Sequence, residues 1–410
     1  MAGPHPIADP APSDGFLPVQ VLDGASTRSF HAYLHIPFCR VRCGYCDFNT
    51  YTSTELRGEK QSDFAARMLS EIAFSVKVQQ QAQLPARPLA SVFFGGGTPT
   101  QLPAEDLVSI LGQLERSFGF AAGCEITTEA NPDDVSKEYL EKLARAGFTR
   151  VSIGMQSSVP SVLATLERTH NPVNVATAVA LAKSVGLQTS VDLIYGAPGE
   201  TMDDWVASLE SAIELETDHV SAYSLIVEPG TKMARQIKSG LLTEQDPDEL
   251  ADKYELAEAM LSAAGFEWYE VSNWSRGEGA RSVHNLAYWR GNDWWGYGPG
   301  AHSHIGGVRW WNAKHPSTYA QKVTQGESPA VGRETLDQKT RLEERILLEL
   351  RIADGISIET IKALNSDANR WISQYIATEL IDAASALRGH LVLTLKGRLL
   401  ADSMVRQLLT

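Results

Sequence analysis

The chain has 410 residues, a formal net charge of −14 and 43% hydrophobic residues, with only four cysteines. That length suits two or three packed domains, and the acidic balance argues against a general nucleic-acid binder, which needs a basic surface. Three of the four cysteines fall within eight residues, which is no disulfide framework and fits a reducing compartment. No apolar run reaches the ~20 residues of a membrane span, so the expectation is a cytoplasmic protein.

The opening segment MAGPHPIADPAPSDG is rich in proline and small residues and has no signal-peptide core, so residues 1–29 read as a flexible extension. From residue 31, short apolar segments alternate with amphipathic helical patterns. Strands are expected at Ala32–Ile36, Ser91–Phe94, Cys124–Glu129, Arg150–Gly154, Thr189–Tyr195 and His219–Leu225. Helices are expected at Asp63–Gln79, Ala104–Phe118, Asp134–Ala146, Val173–Val185 and Met202–Leu215, with Gly147 and Gly186 as stop signals. Such alternation implies parallel strands joined by right-handed crossovers. Six units are too few for a closed eight-stranded barrel, so residues 30–230 read as a partial (β/α)6 barrel of TIM type with its site at the C-terminal strand ends.

Beyond Pro229-Gly230 the pattern changes. Residues 231–334 hold a charged helical stretch and then an aromatic-rich region expected to pack on the barrel. Residues 335–410 combine a helical run at Leu342–Leu350, a turn at Asp354-Gly355 and the hairpin-like HLVLTLKGRLLAD. That order suggests a small winged-helix-like α+β module, and without a basic stripe nucleic acid is not its partner.

Directly after the first strand comes CRVRCGYC, with Cys39, Cys43 and Cys46. Thiolates hold iron–sulfur clusters, and a four-iron cubane normally takes four of them. Three ligands leave one iron open to a small molecule. Zinc is the alternative, but it wants a fourth ligand and favours paired Cys-x2-Cys knuckles. The spacing, with Tyr45 before the last cysteine, resembles the S-adenosylmethionine (SAM) radical superfamily. The lead-in Tyr33-x-His35-Ile36-Pro37-Phe38-Cys39 is similar to the branch of oxygen-independent coproporphyrinogen III oxidases and their relatives. The resemblance implies a 4Fe–4S cluster on the three cysteines, Tyr33 at the SAM carboxylate and Tyr45 at the adenine.

Further matches follow in order. FFGGGTPT ends the second strand, where Gly96, Gly97 and Thr98 would let backbone approach SAM. Glu129 in EITTEANPDD would take the ribose hydroxyls, and Gln156, Arg168 and Asp192 occupy later units of the same face. Each alone reads as a cap or surface polar residue; together they line one barrel face as a ligand site requires.

Two departures from the oxidase pattern point one way. Phe48 stands where the oxidases carry a further cysteine, and Cys124 lies far off on its own strand, in the core. The segment His284-Asn285-Leu286-Ala287-Tyr288-Trp289 sits where seven of the nine tryptophans crowd between Trp268 and Trp311. An aromatic mini-core is one reading of that crowding. The other is a flat apolar slot with an axial imidazole for haem, and the segment is similar to the signature of the haem-chaperone relatives of the oxidase. That resemblance implies haem contacts at His284, Tyr288 and Trp289, with His302, His304 and His315 as alternative ligands. It implies as partners haem and a haem-accepting protein of the respiratory type. It leaves room for peripheral contact with membrane-bound acceptors and for a homodimer. The rival reading is coproporphyrinogen III oxidation by radical decarboxylation.

Overall fold

The computed structural model describes residues 8–409. Six βα units supply parallel strands β1 (Phe30–Ile36), β2 (Leu89–Gly96), β3 (Phe120–Ala130), β4 (Arg150–Gln156), β5 (Gln188–Tyr195) and β6 (His219–Ser224). The remaining strands of the sheet are β7 (Glu267–Glu270), β8 (Asn273–Ser275), β9 (Asp293–Tyr297), β10 (His302–Ile305), β11 (Val308–Asn312) and β12 (Ala330–Thr335). The sheet runs β12-β11-β10-β9-β1-β2-β3-β4-β5-β6-β8-β7. β9 pairs parallel with β1 from Phe30↔Asp293 to Leu34↔Tyr297, whereas β10–β12 and β7–β8 run antiparallel at the two edges. The aromatic-rich segment therefore extends the barrel sheet at both edges; it does not merely pack on it. The barrel remains open.

Its core is the apolar layer between strands and helices, with Leu34, Val92, Ile153, Val191 and Val220 fully buried from alternate positions on successive strands. The other alternate positions face the lumen and are polar, among them Thr127, Glu129, Ser152, Ser190, Asp192, His219 and Ser221. A TIM-type interior filled with branched aliphatics would leave no space there; this interior leaves a cavity.

The expected flexible extension is corrected for the residues described. Asp9 exchanges backbone bonds with Arg333 (3.0 and 2.8 Å), Ser328 N donates to Ser13 O (2.7 Å), and Leu17, Val21 and Ala25 are buried. Arg28 Nε (2.8 Å) and Arg87 Nη1 (2.6 Å) both pair with Asp293, which has no exposed surface. The rest of that segment, residues 1–7, lies outside the described residues.

The C-terminal residues have a separate core of Ile346, Leu350, Ile356, Ile361, Ile372, Tyr375, Leu391, Met404 and Leu408. A two-stranded pair, Ile356–Ser357 with His390–Leu391, sits among helices Gln338–Glu349, Ala368–Ala377 and Ala401–Leu409. The hairpin-like segment is not a hairpin. Leu391 pairs with Ile356, and Thr394 caps a helix at Leu395–Leu399 by accepting from Gly397 N at 3.1 Å. Hydroxyl capping of orphan amides outweighed the strand propensity of the leucines and valine.

Candidate functional site

The loop after β1 is tied at its base. Cys39 N donates to Tyr51 O (3.0 Å) and Tyr51 N to Pro37 O (2.7 Å). Asn49 Nδ2 donates to the carbonyls of Pro299 (3.0 Å) and Lys314 (2.8 Å), and Met233 N to Gly44 O (2.9 Å). His35 Nε2 donates to Asn49 O (3.0 Å) while its Nδ1 accepts from Tyr33 OH (3.1 Å). These ties hold Cys39, Cys43 and Cys46, all partly exposed, on the wall of a cavity of about 650 Å³. Cys124 is on β3 outside that wall, packed against the barrel core. Burial pushes the Cys39 thiol up to about 11, so metal ligation there would release a proton.

The glycine turn closes against this loop. Gly97 N donates to Ile36 O and Thr98 N to Phe38 O, both at 2.7 Å, and Thr98 Oγ1 lies 3.7 Å from Cys39 Sγ. A Cβ on Gly97 would lie 2.6 Å from Phe38 O and 3.0 Å from Cys39 Sγ. Gly96 has φ +107°, and a Cβ there would meet the His35 ring at 2.5 Å. Backbone therefore comes as near the thiols as the chain allows.

Across the cavity stand the charged groups. Glu129 Oε2 accepts from Gly96 N at 3.2 Å, and burial, with Asp192 adding repulsion, pushes its carboxyl up to about 8. Asp192 accepts from Ser152 Oγ through both oxygens (3.1 and 2.9 Å), and burial raises it as well. Arg168 Nη2 donates to Gly154 O at 3.1 Å and its Nη1 lies 3.7 Å from Cys43 Sγ, while its Nε is buried without a partner. Gln156, at a strand irregularity ending β4, holds φ +64°. Left-handed backbone in a buried non-glycine residue is strain of the kind found at functional sites. Tyr33, Tyr45, Gly96, Gly97, Thr98, Glu129, Gln156, Arg168 and Asp192 thus line one cavity with the three cysteines, and Phe48 stands at it too, more than half exposed.

A cluster and SAM fit these residues. The three thiols stand together on the cavity wall. They border an open cradle that a Gly97 side chain would fill, beside an orphaned guanidinium nitrogen.

The His284 segment divides. Helix Val283–Trp289 enters the barrel from below, its Val283 and His284 amides both donating to the Glu125 carboxylate at 3.0 Å. His284 is buried: Nδ1 bonds Ser91 Oγ (2.7 Å), Nε2 bonds Tyr288 OH (2.9 Å), and its ring stacks on Phe93. Both ring nitrogens are thus hydrogen-bonded within the barrel. Tyr288 faces the cavity, but Trp289 packs on Tyr269, Leu286 and Ile352, away from it. His304 is likewise engaged at both nitrogens, with Asn292 O and Gly307 N at 3.1 Å each. His315 Nδ1 caps the helix at Pro316 by accepting from Ser317 N.

Sequence reading missed Phe93, Arg150, Ser152, Ser190, His219 and Ser221, which complete the lining. For all but Phe93 the signal was available: polar residues at every second position of strands whose other positions are aliphatic.

Comparison with known proteins places the chain in a family. The radical SAM superfamily model matches residues 33–212, and that of the HemN C-terminal domain matches 336–400. The chain is 45% identical over 381 residues to the haem chaperone HemW of Mycobacterium tuberculosis, covering 93% of this chain and 95% of that one. It is 33% identical over 328 residues to the HemW of Bacillus subtilis, covering 80% and 84%. The coproporphyrinogen III oxidase of Escherichia coli superposes with a TM-score of 0.79 at 23% identity, covering 97% and 94%. That last likeness concerns the fold.

Proposed function

The chain belongs to the HemW family of the radical SAM superfamily, and from that premise we propose that it is a haem chaperone carrying a SAM-ligated 4Fe–4S cluster. Cys39, Cys43 and Cys46 would hold the cluster with one iron open, and SAM would supply its remaining ligands. Bound together, the two supply one-electron chemistry. The chain's own part is placement. The Gly96–Thr98 backbone lies beside Cys39 and would hold the methionine moiety of SAM. Tyr33 and Tyr45 bound the cavity, and Glu129 and Asp192 offer carboxylates for hydroxyl donors. Arg168 sets positive charge beside Cys43 Sγ, and Gln156 completes the rim.

The observation that carries the reading is Phe48: an exposed phenyl ring borders the cavity where the oxidases have a further cysteine. The haem acceptor in this reading is a respiratory protein approached from the cytoplasm, by peripheral contact where that protein is membrane-bound. Among the described residues no helix is long and apolar enough to cross a membrane. A homodimer would be the working unit.

The test is anaerobic reconstitution of the full chain followed by two assays. Haem titration should give a saturable Soret band, and coproporphyrinogen III should not become protoporphyrinogen IX. Robust turnover would replace the chaperone reading with the oxidase one.

A further inference from the structure

A line of hydrogen bonds crosses the barrel interior from the start of β1 to the cluster cavity. Ser29 Oγ bonds His31 Nε2 (2.8 Å) and His31 Nδ1 bonds Ser91 Oγ (2.7 Å). Ser91 Oγ bonds His284 Nδ1 (2.7 Å), and His284 Nε2 bonds Tyr288 OH (2.9 Å). Hydroxyls and imidazoles alternate throughout, and the two imidazole rings stand 6.2 Å apart, joined through Ser91. The three inner members are buried, Ser91 with no exposed surface, whereas Ser29 and Tyr288 at the ends are partly exposed. Ser29 precedes β1, at the end of the strand away from the cysteine loop, and Tyr288 lines the cluster cavity.

Buried polar groups need partners, but satisfying them does not require this order. Burial lowers His31 to about 4 and His284 well below the usual imidazole range. Both rings are therefore neutral, each with one N–H and one bare nitrogen. Every member then donates once and accepts once along the line, and two polarities satisfy all four bonds. In the first, His31 carries its proton on Nδ1, His284 on Nε2, and the Tyr288 hydroxyl donates into the cavity. In the second every bond is reversed, and the Ser29 hydroxyl donates to solvent. The single Ser91 proton serves one ring while the Ser91 oxygen accepts from the other, so the two rings hold opposite tautomers.

On a footing that rests on the reading of the cavity as the SAM seat, we propose that Ser29, His31, Ser91, His284 and Tyr288 form a proton relay between that cavity and solvent at the start of β1. Neutral imidazoles between hydroxyls are suited to passing protons. Burial first, then Glu129 and Tyr288, raises the Tyr33 hydroxyl, so the relay ends close to the Glu129 carboxyl. That carboxyl, raised to about 8, holds a proton in the empty site and gives it up to accept from hydroxyl donors. The proton reaches the Tyr288 oxygen through cavity water, and Tyr288 passes its own to His284 Nε2. Each member hands one on until Ser29 releases one to solvent. One proton enters and one leaves, no member stays charged, and the line has flipped from the second polarity to the first. A ligand seated in the cavity mouth leaves this route open.

The test has two readouts on full-length protein. Nitrogen NMR of protein labelled in its histidine rings, before reconstitution, should find His31 and His284 neutral at pH 7 with opposite tautomers. Equal tautomers would break the line at Ser91 and overturn the inference. After cluster reconstitution, stopped-flow mixing with SAM in weak buffer follows proton release with an indicator dye, beside the cluster absorbance change that reports binding. Wild type should release its proton in step with binding. Ser91→Ala and His31→Phe should bind SAM within about twofold of wild-type affinity and release as much proton, but on the order of tenfold or more behind binding. Release in step with binding in either variant overturns the inference, as does SAM binding to wild type without proton release. If SAM leaves the cluster spectrum unchanged, the SAM-seat reading fails instead, and the tautomers alone decide whether the relay exists.

Discussion

Gly97→Ala isolates the fit between the glycine turn and the cysteine loop. Gly97 does not need a left-handed backbone, so the change acts through volume alone. The added methyl would lie 2.6 Å from Phe38 O, 2.9 Å from Ile36 O and 3.0 Å from Cys39 Sγ. Carbon–oxygen contacts settle near 3.3 Å or beyond, so the Phe38 carbonyl must retreat by about 0.7 Å. It is not free to do so: Phe38 O accepts from Thr98 N and Ile36 O from Gly97 N, each at 2.7 Å. Overpacking of this kind costs about 1–3 kcal/mol. More to the point, it displaces Cys39 by an amount comparable with the ~0.5 Å tolerance of a preorganised site. The expected outcome is a folded protein with a modestly lowered melting temperature that assembles little cluster, counted as iron and sulfide per chain. Gly279→Ala is the control, since a Cβ there meets nothing within 4 Å. A Gly97→Ala protein with full cluster and unchanged melting would refute the packing argument.

Three further outcomes follow from the same geometry. Glu129, raised to about 8 by burial and then by Asp192, is protonated in the empty site at pH 7, so SAM affinity should rise with pH through that value and Glu129→Gln should flatten the profile. The sign for stability is opposite: a carboxyl raised above its unfolded value loses stability as pH climbs toward 8, so Glu129→Gln should melt no lower than wild type at pH 8. Asp293→Ala leaves Arg28 and Arg87 facing each other without their carboxylate, at a cost of about 3–5 kcal/mol, read by urea denaturation. His284→Ala orphans the Tyr288 hydroxyl and should cost roughly 1–3 kcal/mol by the same measurement.

The barrel was legible because its elements are long and locally periodic. The helix expected at Ala104–Phe118 has those bounds, and the strand expected at Arg150–Gly154 runs only to Gln156. The cysteine loop, the glycine turn and the later polar residues were found because each follows a parallel strand, and the topology brings such ends together. What stayed hidden depends on partners distant in sequence. β9 finds β1, and Asp9 finds Arg333, through backbone bonds that no local pattern announces. The strands β7–β12 run only three to six residues each, too short for alternation to stand out from aromatic crowding.

In the His284–Trp289 segment the spacing of the residues carries structural information beyond their types. A histidine among tryptophans suggests a metal ligand, yet the spacing carries different information. His284 and Tyr288 are one helical turn apart and bond to each other inside the barrel. Asn285 and Trp289 have the same spacing on the adjacent face, where Asn285 Nδ2 donates to Glu270 at 3.4 Å and Trp289 also bonds that carboxylate. Burial raises Glu270 to about 8, and what faces it from this helix are amide and indole donors, not a cation. Trp289 continues to Tyr269 and Ile352, and Ala353 N donates to Tyr269 O at 2.8 Å. The two pairs thus clamp the barrel floor on one side and the start of the C-terminal module on the other. That clamp sets helix Val283–Trp289 against helix Gln338–Glu349, so the first residues of the C-terminal module are fixed by the barrel floor.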